Sequence, residues 1–318
     1  MTLKLNAYVT DIVLDRDDAA FALGDGTVAW LGGERVTAHD GAILCATAHP
    51  SGDGVVTGGD DGRVVWSRRD GAVELASRPG RWIDALAGSA ASGLIAFSAG
   101  REVRVLDIKE AGFERGFAHA ASVAALAFDP KGRRLAAATY GGAALWYARI
   151  AEQSPVMLRW AGSHIAAAFS PDGRFLISSL QEGALHGWRL SDAMDLRMGG
   201  YPAKVKSLAF IARGAALATS GARGAVVWPF SGANGPMGKQ AMELGFDESA
   251  VVTRVAGDPV GSMVCAGLDD GRVWVGDLES RTITPLKAER DAPISALGIA
   301  GRNLAWGDEA GGAGMFAL

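Results

Sequence analysis

The sequence predicts an all-β fold built from one short unit repeated along the chain, and three observations predict it. First, three stretches share a pattern of apolar run, Pro/Gly turn, apolar run, Gly turn, apolar run. They open on His49-Pro50-Ser51-Gly52, Phe128-Asp129-Pro130-Lys131-Gly132 and Phe169-Ser170-Pro171-Asp172-Gly173, and they close on Trp66, Trp146 and Trp188. Second, the apolar runs are short, rich in Val, Leu, Ile, Phe and Trp, and bounded by Gly, Pro and Asp, which is strand chemistry. Third, 44 glycines in 318 residues, against 11 prolines and with no collagen period, supply many tight turns.

With weaker turns the unit recurs throughout. Third-strand ends fall near Trp30, Trp66, Leu106, Trp146, Trp188, Trp228, Val275 and Phe316. The step is about 40 residues, within the ~40–45 of a propeller blade. The widest step holds the segment 231–240 (SGANGPMGKQ), which reads as an inserted loop. Eight strand triplets predict a closed β-propeller of eight four-stranded blades, a single domain over residues 1–318. Seven blades with an irregular end is the alternative. Runs such as Ala124 to Phe128 (AALAF) and Ile165 to Phe169 (IAAAF) suit strands buried on both faces by neighbouring blades. Small residues there let strands converge near the axis. A helical reading of the Ala-rich stretches fails because glycine interrupts them too often.

The last triplet, 312–318, ends without a fourth strand. The first is preceded by the alternating run Thr2-Leu3-Lys4-Leu5-Asn6. These residues are expected to complete the last blade, with Leu3 and Leu5 inward and Lys4 to solvent, as an edge strand prefers.

On these residues the sequence resembles the WD40-repeat family over essentially its whole length. The carriers are Phe169 to Arg174 (FSPDGR), Gly58 to Trp66 (GGDDGRVVW), and the pairs Leu106-Asp107 and Gly276-Asp277. Departures are equally visible. The Gly-His pair is mostly lost, with His39 and His119 as remnants, and no Trp is followed by Asp. Trp30, Trp66, Trp146 and Trp228 sit one position early, on the face between blades, and Trp188 alone keeps the usual place. The resemblance therefore implies that the family's buried His–Ser–Asp–Trp hydrogen-bond network is absent or broken in most blades. Apolar packing between blades must then carry the stability. The resemblance also implies a rigid disc that holds other proteins, although a fold does not by itself name a function. The Ala and Gly content suggests a bacterial source.

Composition excludes several classes. A net charge of -4 gives no broad basic field for nucleic acid. Cys45 and Cys265 stand far apart, with no zinc or disulfide spacing. The opening residues lack the apolar core of a signal peptide, and no apolar run approaches the ~18 residues of a membrane span. A cytoplasmic protein with no membrane partner is expected. His39, His49, His119, His164 and His186 form no HxH or HExxH pattern, and no nucleophile elbow or phosphate loop is present. The glycines around Gly24-Asp25-Gly26 precede a strand and read as a hairpin turn. The expectation is a non-enzymatic, cofactor-free scaffold for protein partners. A propeller-frame enzyme and a structural subunit of an assembly are the alternatives.

In this fold the second-to-third-strand turns and the fourth-to-first-strand loops share one face, here called the top. Asp269-Asp270, Asp308-Glu309, Asp25 and Asp60-Asp61 occupy such turns in blades seven, eight, one and two. If the ring closes, they form an acidic arc that would attract a basic segment of a partner. Asp before Gly is also ordinary turn chemistry. Blades three and six carry Arg101 and Arg223 instead. Tyr8, Trp82, Tyr140, Tyr201 and Phe246 fall in or beside top loops, near Arg78, Arg81 and Lys204. Tyr, Trp and Arg often anchor interfaces, and burial under a neighbouring loop is the competing expectation for each. Trp82, in the turn-rich stretch RPGRW beside Arg81, is the first candidate.

Overall fold

The computed structural model describes residues 1–15 and 18–318. Apart from one short 3-10 turn, Ala212–Gly214, its elements are β-strands, and every pairing is antiparallel. The first repeat runs Val9–Asp15, Asp18–Leu23, Thr27–Trp30, Arg35–Thr37, and the second Ile43–Ala48, Val55–Gly59, Arg63–Arg68, Gly71–Ser77. The third runs Ala85–Ser89, Leu94–Ala99, Glu102–Asp107, Glu114–Ala118.

The next two repeats are fused in one six-stranded sheet. Its strand Arg134–Tyr147 doubles back at Tyr140-Gly141. The Ala148 N–H donates to the Arg133 carbonyl at 2.9 Å, which ties the two ends of a hairpin. Residues 134–139 pair with Val123–Phe128, and 142–145 pair with the start of Val156–Phe169. The second half of Val156–Phe169, from His164, pairs instead with Phe175–Leu180, which continues to Ala184–Arg189 and Met194–Met198. One long strand thus serves as the outer strand of one repeat and the inner strand of the next. The remaining repeats run Leu208–Ile211 to Met242–Leu244, Val252–Gly257 to Ile283–Lys287, and Ile294–Ala300 to Gly312–Ala317.

The molecule therefore has seven continuous sheets, the alternative count, and these hold all eight strand triplets read from the sequence. Successive inner strands touch in one closed cycle. It passes through Val9–Asp15, Ile43–Ala48, Ala85–Ser89, Val123–Phe128, Val156–Phe169, Leu208–Ile211, Val252–Gly257 and Ile294–Ala300, and returns to Val9–Asp15.

The chain start closes this ring as expected. Thr2, Leu3 and Lys4 pair with Gly314, Ala313 and Gly312. The Leu5 N–H donates to the Gly311 carbonyl at 2.7 Å. Leu5 is buried and Leu3 half-buried in the apolar layer between the last and first repeats, while Lys4 faces solvent.

Junctions between repeats are close-packed, and at two of them a branched residue of the inner strand seats against a glycine of the preceding repeat. A Cβ on Gly307 would collide with Val9, and one on Gly267 with Ile294. Small hydroxyls also cross junctions. Ser295 Oγ donates to the Val9 carbonyl at 2.6 Å, Thr10 Oγ1 to Ile43 at 3.0 Å, and Thr253 Oγ1 to Ile294 at 2.7 Å. Ser98 Oγ donates to the Val123 carbonyl at 3.3 Å. Between these lie the apolar layers that hold Trp30, Trp146, Trp188 and Trp306. Trp66 differs: it stacks on His49 at 4.2 Å and donates to the Asp53 carbonyl at 2.7 Å.

Deleting residues 1–7 removes an edge strand and the buried Leu5 from the closing junction. Thermal unfolding followed by circular dichroism should show a markedly lower melting temperature; an unchanged curve would show that the ring does not depend on this strand.

Candidate protein-binding face

Backbone bonds tie each second-to-third-strand turn to a fourth-to-first-strand loop and so build one face. The Gly24 N–H donates to Tyr8 O at 2.8 Å, Asp60 to Ala42 at 3.1 Å, His119 to Arg101 at 2.9 Å, Asp269 to Val251 at 2.9 Å, and Glu309 to Pro293 at 3.0 Å. Ring closure makes the seventh, eighth, first and second repeats neighbours, so the turns bearing the acidic residues do lie in sequence around this face.

Most of those carboxylates, however, are engaged at home. Asp25 pairs with Arg35 and accepts from Thr27. Asp61 accepts from His39 and from Arg63 at 2.9 and 2.8 Å and from the Asp40 N–H at 3.1 Å. Burial alone would raise the Asp61 pKa, yet these bonds hold its carboxyl below the ordinary carboxylate range. Asp270 is opposed in the same way: burial raises it, and Arg272, at 2.9 Å, more than compensates. Asp308 is buried and accepts the Ala310 and Gly312 N–H groups at 2.9 and 2.7 Å. Asp269 accepts only the Val251 N–H, at 2.9 Å. Among the described residues, Asp60, Asp269 and Glu309 are the members of the arc without a cation or a buried turn to satisfy.

The aromatic candidates divide. Tyr140 is 73% exposed, Trp82 66%, Phe246 58% and Tyr8 41%, so none of the four is buried under a loop. Tyr201 is different. Its hydroxyl meets Thr219 Oγ1 at 2.6 Å and accepts the Trp228 indole N–H at 2.6 Å, and Thr219 donates onward to the Val226 carbonyl at 3.0 Å. Burial, against those two bonds, raises the phenol to about 12. Tyr201 thus stands where a WD40-type unit carries its histidine, and its ring serves the sixth repeat's interior.

Other repeats keep other fragments of that polar network. His39 Nε2 meets Thr57 Oγ1 at 2.8 Å, and His164 Nδ1 meets Ser178 Oγ at 2.6 Å. The Trp146 indole donates to His119 Nε2 at 3.0 Å. Trp188, the tryptophan in the usual place, leaves its buried indole N–H without a partner. Among the described residues no repeat carries the complete set, as the displaced tryptophans imply.

Arg81 and Trp82 are presented by a turn. The Arg81 N–H donates to the Arg78 carbonyl at 3.1 Å, across Pro79 and Gly80, and Gly80 has φ +74°, the left-handed value a type II turn requires of its third residue. Arg78 and Ile83 bond back to Gly62 and Gly59 at 2.7 and 3.0 Å. The loop opens onto a basin of about 710 Å³ lined by Arg78, Pro79, Arg81, Gly100, Arg101 and Ser122 among others.

One site escaped the sequence reading. Asp11 interrupts the apolar strand Val9–Asp15 and Arg254 the strand Val252–Gly257. Asp11 remains partly accessible to water but is ringed by protein. Burial raises its carboxyl to about 6, against hydrogen bonds from the Ile12 and Ala46 amides and the charge of Arg254. Burial likewise raises Asp84, and it pushes the Cys45 thiol well up with help from the charges of Asp11 and Asp84. A charged residue inside an apolar run was the available signal. Among the described residues no group of three or more His, Cys, Asp or Glu is placed to hold a metal ion, and no helix is long and apolar enough to cross a membrane.

Two substitutions test these assignments. Tyr201→Phe strands the Trp228 indole N–H and should cost about 1–3 kcal/mol, read as a lower urea midpoint. Asp11 is raised in the folded state, so its ionisation opposes folding fully above pH 6, and the penalty fades as pH falls toward 3.8. Asp11→Asn should therefore stabilise the protein at pH 7.5 by on the order of 1–3 kcal/mol. The gain should shrink steadily in melts at lower pH, and a pH-independent gain would contradict the assignment.

Comparison with known proteins agrees with this architecture. Residues 34–66 match the family described as "WD domain, G-beta repeat". No curated protein matches the chain. Its fold is similar to that of the computationally designed Ika8 protein (TM-score 0.81, 20% identity, 99% of this chain and 98% of that one). It is also similar to the Cps50 (Swd1) β-propeller domain of Myceliophteria thermophila (TM-score 0.68, 16% identity, 87% of this chain and 96% of that one). A single repeat that matches the family and four-stranded repeats closed into a ring give the chain the fold of a WD40-type β-propeller.

Proposed function

We propose that the chain is a non-catalytic, cytoplasmic scaffold that holds other proteins against its loop-built top face. The observation that carries this reading is the exposed indole of Trp82, next in sequence to Arg81; Arg81 and Arg101 line one basin, and neither has a side-chain partner among the described residues. Tryptophan and arginine are the residues on which interface energy concentrates, and a large exposed ring on a pinned turn is the form such an anchor takes. The histidines support a non-catalytic role. His39, His119 and His164 bond internally through both ring nitrogens, and His39 and His164 are buried away from solvent, which supports a structural role for these imidazoles.

The reading in which a basic partner segment docks on the acidic arc rests on Asp60, Asp269 and Glu309, because the other carboxylates already have partners. A rim contact, as in a structural subunit, is a second reading with its own observation. The outer strand of the fourth repeat leaves Val156 and Met157 exposed, as are Tyr147 and Ile150 in the segment that leads to it, and an exposed strand edge invites strand pairing.

Tagged pull-downs from the native cell, comparing wild type with Trp82→Ala and with Val156→Lys, separate the two. Partners lost with Trp82→Ala but kept with Val156→Lys are the expected result. The reverse pattern moves the function to the rim, and identical partner sets in all three proteins would sink the top-face reading.

A further inference from the structure

We propose that the basin over the third repeat binds an acidic segment of a partner protein. The inference rests on the protein-binding reading above and names the partner's chemistry. It reverses the charge expected from the acidic turns.

The basin's charges do not balance. Arg78 is spent on Glu114 at 2.7 Å. Arg104 bridges Glu114 and Glu102 at 3.1 and 3.0 Å. Those four residues neutralise one another and leave Arg81 and Arg101 over. Neither makes a side-chain hydrogen bond or ion pair among the described residues. The Arg81 guanidinium lies 3.8 Å from where a Cβ on Gly100 would stand, so the two positive side chains rise from adjoining positions at one wall. Ser122, also exposed and unpartnered, lines the same basin.

Two neighbouring like charges repel, and an anion between them removes that cost. The planar forks of guanidinium groups match carboxylates in a bidentate way. Trp82 adds an apolar surface that a free inorganic anion could not use but a peptide side chain could. The loop is fixed before binding. The Arg78–Arg81 turn is closed, and both of its ends are tied to the turn of the second repeat. Little ordering entropy then remains to oppose association. The acidic arc shows the contrast, since Arg35, Arg63, Arg272 and His39 already occupy the carboxylates of Asp25, Asp61 and Asp270.

The test uses the full chain and two fluorescein-labelled peptides, one of glutamates around a central phenylalanine and one with lysine replacing every glutamate, read by fluorescence polarisation. The glutamate peptide should bind and the lysine peptide should not, and binding should weaken as sodium chloride rises, because exposed charges are screened. The Arg81→Glu/Arg101→Glu double variant should lose about tenfold or more in affinity with an unchanged melting curve. Trp82→Ala should weaken binding while the salt dependence remains. Equal binding of the two peptides, or of the glutamate peptide by wild type and double variant, overturns the proposal. Should the glutamate peptide fail to bind while Trp82→Ala still removes a cellular partner, the scaffold reading stands and the acidic segment falls.

Discussion

The ring depends on the close approach of neighbouring inner strands, which where the chain closes seats a branched residue against a glycine of the repeat before it. Val9 against Gly307 and Ile294 against Gly267 leave no room for a Cβ. Strands from neighbouring repeats can therefore approach closely enough for Ser295, Thr10 and Thr253 to donate hydrogen bonds across the junction. Apolar burial supplies most of the driving force at such layers, and the hydroxyl bonds satisfy carbonyls that would otherwise be buried unpaired. The Ala and Gly within the strands follow from this geometry, whereas most glycines have positive φ and serve the turns.

Because the junctions carry the fold, the polar network inside each repeat is free to decay. Tyr201 replaces histidine in one repeat, Trp146 reaches His119 in another, and Trp188 keeps its place with its indole N–H unsatisfied. The Tyr201 and His119 fragments still tie a top-face loop to its own sheet. The loop that carries the exposed Trp82 is held instead by its own backbone bonds to Gly59 and Gly62, and a loop fixed before binding is the condition under which a few side chains can anchor a partner.

The top face illustrates how charge on a list differs from charge in space. Seven acidic residues in four adjacent turns read as an acidic surface, and closure of the ring does place those turns side by side. Local arginines and backbone amides then absorb Asp25, Asp61, Asp270 and Asp308. An Asp in a turn finds nearby N–H groups for the same backbone reasons that put it there. Arg81 and Arg101 emerge as the unbalanced charges only after the pairs Arg78–Glu114 and Arg104–Glu102 are known.

By itself the sequence determined the repeat, its strand order and the closing role of Thr2-Leu3-Lys4-Leu5-Asn6, because strand and turn chemistry are local and recur at a fixed period. It also placed Trp82 and Arg81 at a turn, since Pro-Gly fixes that turn regardless of what surrounds it, but the exposure of the indole was decided by the tertiary structure. It did not determine that two repeats fuse into one sheet, because that depends on Val156–Phe169 running unbroken between neighbours. Nor did it place Tyr201 inside and Tyr140 outside. Tyr201 follows Gly199-Gly200 and Tyr140 precedes Gly141-Gly142, and only the packing of Thr219 and Trp228 around Tyr201 draws its hydroxyl inward. The pairing of charges belongs to tertiary structure for the same reason: an ion pair is a distance between groups, and the distances between repeats are set only when the ring closes.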